Sequence, residues 1–134
     1  MARPPFSTIP ERRLPVLVVI APGRTLLEAC FETMHFVTAG RVEIADVKSM
    51  ATRVATERPF AIVIEEDVFA FDPREFEALG RDVRAEIVTV PAGAAHDALI
   101  SRLLPALKGA FGRWGREEEP GEEPGEEPGE ESLS

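Results

Sequence analysis

Val16-Leu17-Val18-Val19-Ile20-Ala21 is an unbroken, largely β-branched apolar run, and its lack of alternation is what decides the fold. A strand with one wet face alternates apolar and polar residues, whereas a strand covered on both faces of a parallel sheet is apolar throughout. The run therefore reads as a central strand with helices on either side. Phe60-Ala61-Ile62-Val63-Ile64 repeats the pattern and passes directly into Glu65-Glu66-Asp67.

The segments around these runs complete the scheme. Thr25 with Glu28 three residues on has the form of a capping box, and Leu26, Leu27, Cys30, Phe31 and Met34 recur at helical spacing, predicting a first helix. Arg41-Val42-Glu43-Ile44-Ala45 alternates, as a sheet-edge strand should. Val47, Met50, Ala51 and Val54 form the stripe of a second helix, stopped by Pro59. Asp72-Pro73-Arg74-Glu75 supplies an N-cap, a proline at the first helical position and an early acid, so Phe76, Leu79 and Val83 belong to a third helix, slightly weakened by Gly80. Ile87 to Val90 is a fourth strand closed by Pro91 and Gly93. From Asp97 onward Leu99, Ile100, Leu103, Leu104, Leu107 and Phe111 mark a last helix, with an expected kink at Pro105 and Trp114 packing near its end. Strand and helix thus alternate four times with connections short enough for right-handed crossovers, which gives a three-layer α/β sandwich around a four-stranded parallel sheet.

The chain divides into an irregular arm at 1–13, one α/β domain at 14–116 and an acidic tail at 117–134, expected to be disordered because its Glu-Glu-Pro-Gly repeats have no apolar residue to bury. At 134 residues there is room for one such domain. The tail holds nine of the twenty-four acids and no base, leaving fifteen acids against fifteen Lys and Arg elsewhere. The net charge of -9 therefore belongs to the tail, and the folded part has no basic excess with which to neutralise phosphates. No nucleic-acid partner is expected. Cys30, the only cysteine, excludes an internal disulfide and fits a reducing compartment. No apolar run approaches the roughly 20 residues of a membrane span, and Pro4, Pro5, Pro10 and Glu11 interrupt any signal-peptide pattern. A cytoplasmic location without membrane contact is the expectation.

Ligands of open parallel sheets bind beyond the carboxyl ends of the strands. Those ends offer Ala21-Pro22-Gly23-Arg24, Asp46, Glu65-Glu66-Asp67 and Pro91-Ala92-Gly93, with no phosphate-cradling glycine motif. Glu66, Asp67 and Asp46, with Glu65, make a candidate acidic rim that could serve a divalent metal or a small molecule. Against this stands the plainer reading that Glu65 ends a strand while Glu66 and Asp67 face water, and adjacent acids in an extended segment alternate faces. Cys30 lies on the apolar stripe of the first helix, His35 and His96 at helix ends, and no nucleophile and base stand at a recognisable spacing. No catalytic residue, cofactor or metal ligand is assigned. Arg24 at a helix start reads as a solvated side chain rather than an anion ligand.

In its order of motifs, Gly40 to Ala51 followed by Arg58 to Glu65 resembles the second strand, second helix and third strand of response-regulator receiver domains, and the match continues through Val90. The resemblance spans roughly residues 14 to 111 and rests on pattern and spacing. It implies a flavodoxin-like sheet of strand order 2-1-3-4, truncated by loss of the fifth strand and its lysine. It places Glu65 at the phospho-acceptor position, Ala21 and Pro22 where a metal-binding acid pair belongs, and Pro91 at the hydroxyl position. Without the acid pair, phosphoryl transfer is not expected. What the resemblance implies is a non-catalytic module of bacterial signalling or regulation acting on an unidentified protein partner, with Glu65 either a fixed mimic of the phosphorylated state or inert. Self-association through the last helix or the open edge of strand four is a further expectation.

Overall fold

A computed structural model describes residues 14–118, so the expectations for the arm at 1–13 and for the tail beyond 118 lie outside the described residues. Strand β1 (Val16–Ile20) is buried at every position. Its odd and even residues serve different cores, because successive side chains of a strand leave on opposite faces. Leu17 and Val19 join Ala61 and Val63 under helices α1 (Arg24–Val37) and α5 (His96–Glu118). Val16, Val18 and Ile20 join Ile62 and Ile64 under α2 (Met50–Glu57) and α4 (Pro73–Val83). Each Val, Leu or Ile side chain among them contributes roughly 1.5–3 kcal/mol by leaving water. An alternating pattern would have left one of these two cores empty.

The sheet has the flavodoxin-like order β2-β1-β3-β4, with all strands parallel, where β2 is Arg41–Ala45, β3 is Ala61–Glu65 and β4 is Glu86–Val90. Edge strand β2 is wetter than β1, but its burial does not alternate as expected: Ile44 is 45% exposed, and Ala45 is buried in the core under α2 and α4. Val42 packs toward α1, whereas Arg41 and Glu43 face α2, with Arg41 pairing with Glu57 and Glu43 and Arg53 lying 3.6 Å from Glu43. At the other edge Arg102 Nε of α5 donates to the Thr89 carbonyl of β4 at 3.0 Å, and Arg113 pairs with Glu86. Because the strands are parallel, the helices between them run back, beginning at the carboxyl rim of the sheet and ending at its amino rim.

Four local expectations are corrected. The capping box at Thr25 and Glu28 does not form: α1 starts at Arg24 with Gly23 as N-cap and no side-chain cap, so both residues sit within the helix. The buried stripe of α1 is Leu26, Ala29, Cys30, Thr33 and Met34, and Phe31 is 51% exposed. The stripe turns toward small Ala29 and Thr33 because α1 packs along α5 as well as on the sheet. Helix α2 begins only at Met50, since Asp46 accepts hydrogen bonds from both the backbone N–H and the hydroxyl of Ser49 and closes a turn there; this leaves Val47 outside the helical stripe and Ala51 exposed. Finally, the acids after Glu65 do not lie in an extended segment, because a four-residue helix α3 (Glu66–Phe69) follows β3 directly.

The firm helix signal at Asp72 is realised. Its carboxylate accepts from the Glu75 N–H, and Pro73 opens α4. Gly80, a weak helix former, is explained by packing: a Cβ there would stand 2.9 Å from the Ala85 carbonyl oxygen. Helix α5 continues through Pro105, and Trp114 near its end sits against Phe60 and Phe111 with ring centroids 6.3 and 5.8 Å away.

Candidate functional site

The sheet register places the strand ends in one row at the carboxyl rim. Ile20 is level with Ala45, Val19 with Val63 and Glu65 with Val90, so Asp46, Ala21, Glu65 and Val90 fall side by side across the four strands. Asp46 and Glu65 are thus separated by a whole strand, about 10 Å at the usual strand spacing, with Ala21 between them. Ala21 adopts the left-handed region at φ 45° and donates its N–H to the Ala45 carbonyl at 2.7 Å. The bend carries the chain through Pro22 to the start of α1 and brings no carboxylate to the middle of the rim.

The acids that do reach the rim have separate occupations. Asp46 is held below the usual carboxylate range by the backbone N–H of Ser49, then by its hydroxyl, both at 2.8 Å, with Lys48 adding a smaller push. Glu65 is half-buried at the end of β3, and its carboxylate makes no hydrogen bond or ion pair among the described residues. Glu66 and Asp67 are exposed in the first turn of α3, where a helix start favours negative charge. Among the described residues no group of three or more His, Cys, Asp or Glu side chains is placed to hold a metal ion. The candidate acidic rim is therefore a row of acids around β1 and β3, not a cluster.

Nucleophilic chemistry has no better basis. Cys30 is buried among the α1 and α5 side chains, and burial pushes its thiol up to about 12, so it carries no thiolate at neutral pH. His96 Nε2 lies 2.9 Å from Glu32 Oε1 and links α5 to α1.

What the rim does present is apolar. Val47, Met50, Val68, Phe71 and Phe76, with Asp72 and Glu75 at the margin, line a groove of about 300 Å³. Phe71 is 88% exposed and Val47 49%. The position of Phe71 makes that exposure informative. It immediately precedes the N-cap Asp72, where an apolar residue commonly folds onto the fourth helical residue, here Phe76. In this chain Phe69 of α3 makes that contact instead, with ring centroids 5.8 Å apart, and Phe71 is left in water. Sequence reasoning placed Val47 in the stripe of the second helix rather than in a site, and passed over Phe71. The available signal was Phe69-Ala70-Phe71 ahead of Asp72-Pro73, two aromatic candidates for one packing position.

The chain was compared with protein-family models, with curated proteins and with solved structures, and it matches none of them. No helix among the described residues is long and apolar enough to cross a membrane.

Proposed function

We propose that the chain is a non-catalytic, receiver-like module of bacterial signalling or regulation that works in the cytoplasm by protein contact at its carboxyl rim. The single observation that carries this reading is Phe71, an aromatic side chain held in water beside an apolar groove at the end of the sheet where parallel α/β domains bind their ligands. The cost of leaving a phenyl ring exposed is offset once a partner covers it, and aromatic anchors of this kind dominate protein interfaces. Asp72 and Glu75 at the groove, with Glu66 and Asp67 nearby, favour a partner that offers an apolar side chain flanked by basic ones. The row Asp46, Ala21, Glu65 supports the non-catalytic part, because a magnesium-assisted phosphoryl transfer needs carboxylates that converge.

Two measurements test the proposal. Intact mass after incubation with acetyl phosphate and Mg²⁺ should show no added phosphoryl group, and an acyl-phosphate on Glu65 or a neighbouring acid would overturn the non-catalytic reading. Affinity capture from the producing cells with the parent chain and with Phe71→Ser should recover a protein that depends on Phe71. Equal capture by both chains removes the carboxyl rim as the contact surface.

A further inference from the structure

The opposite end of the molecule carries a second opening, of about 580 Å³, between the end of α4 and the last turns of α5. Its apolar wall is Phe60, Ile87, Ala110 and Trp114, and its charged lining is Arg81, Arg84 and Arg113 against Glu77 and Glu86, a net basic set. Arg113 is engaged by Glu86. The Arg81 and Arg84 side chains are exposed and make no ion pair or hydrogen bond among the described residues. Part of their charge complements the C-terminus of α4, but two guanidinium forks with five donors each are left to solvent.

The chain leaves the described region at this cleft. Trp114 lines it, and Glu118, where α5 ends, is one helical turn further, roughly 6 Å along the axis. The sequence that follows is Glu119, Glu122-Glu123, Glu126-Glu127 and Glu130-Glu131, separated by Pro-Gly and without a single base. Three or four residues of extended chain span at most on the order of 10–13 Å, more than the roughly 6 Å of axis back from Glu118 to Trp114, and each later pair has a longer tether. The repeats are equivalent, so any of them can serve, and tethering keeps them near the arginines at an effective concentration on the order of millimolar.

We infer that the arginine cleft at the amino rim is a docking site for the chain's own glutamate-rich segment 119–134, which screens Arg81 and Arg84 from other anions. The occupant is chosen by opposite charge, by the point at which the chain departs and by the length that follows. The inference is independent of the carboxyl rim, and neither stands or falls with the other.

Trp114 is the only tryptophan and lines the cleft, so its emission reports occupancy directly. The full chain and a chain ending at Glu118 are compared at low salt, by Trp114 fluorescence and by NMR of the arginine side-chain N–H groups. Removal of the segment should shift the Trp114 emission to the red and move the Arg81 and Arg84 signals. In the full chain, 1 M NaCl should reproduce the truncated spectrum, because the Debye length falls to about 3 Å. Arg81→Gln with Arg84→Gln in the full chain should abolish the salt response while the circular dichroism stays unchanged. A synthetic peptide of residues 117–134 added to the truncated chain should restore the original spectrum. Identical low-salt spectra for full and truncated chains overturn the inference. So does a shift that grows with protein concentration, which would put a second copy's tail in the cleft.

Discussion

Where β2 meets β1 at the amino rim, and where the strands end at the carboxyl rim, the chain is packed to opposite standards. At the amino rim the backbone is packed to contact: a Cβ on Gly40 would stand 2.3 Å from the Pro15 carbonyl oxygen, which itself accepts the Arg41 N–H that begins the pairing of β2 with β1. Phe60 is 1% exposed under Phe111 and Trp114. At the carboxyl rim the strands end in a left-handed Ala21, a solvent-facing turn at Asp46 and an aromatic residue in water. The contrast separates backbone packed to contact, at the β1–β2 side of the amino rim, from side chains free to meet something else; the arginine cleft leaves the β3–β4 side of the amino rim open as well.

Substitutions should respect that division. The largest loss is expected for Gly40→Ala, where the new methyl meets backbone and the pairing of β2 with β1 must shift; more than about 3 kcal/mol in urea unfolding is expected. A loss below about 1 kcal/mol would mean that the amino rim yields more easily than its contacts imply. Trp114→Ala should cost about 2–3 kcal/mol, less than a fully buried aromatic because Trp114 is half-buried. Between the rims, Thr33 is fully buried with its hydroxyl unpartnered, so Thr33→Val should stabilise by about 1 kcal/mol, seen as a rise of about 4 °C in Tm. Destabilisation there would reveal a partner for the hydroxyl.

Smaller effects belong to the carboxyl rim. Asp46 has a folded pKa below its unfolded value near 3.9, so its contribution is present above that value and lost as pH falls through the folded one. Asp46→Asn should flatten the acid limb of the stability curve, and an unchanged limb would show that the turn is indifferent to charge. Phe71→Ala should change stability least, by no more than about 0.5 kcal/mol, since little of the ring is covered. A larger loss would make Phe71 part of the core and end its separation from the amino-rim aromatics.

The strands were legible because burial on both faces leaves solid apolar runs, and Asp72-Pro73 marked α4 because the cap chemistry is local. Helix α3 was not legible, since four residues have no period to detect. The start of α1 was misplaced because Thr25 and Glu28 fit the spacing of a capping box while Pro22-Gly23 had already turned the chain. For the site, sequence located the acids at the strand ends, but their separation depends on the register of β1 between β2 and β3. The exposure of Phe71 depends on Phe69 winning the contact with Phe76, which composition does not decide. The arginine cleft joins the end of α4 to the end of α5, residues some thirty positions apart, so no local pattern announces it.

A sheet that stops at four strands presents its last backbone to any passing chain, and such borders invite stacking of one molecule on the next. Arg102, reaching from α5 to the Thr89 carbonyl, plugs one of those vacant acceptors with a permanent charge. The helix that roofs one face of the domain therefore also reaches round to its border and occupies one acceptor there.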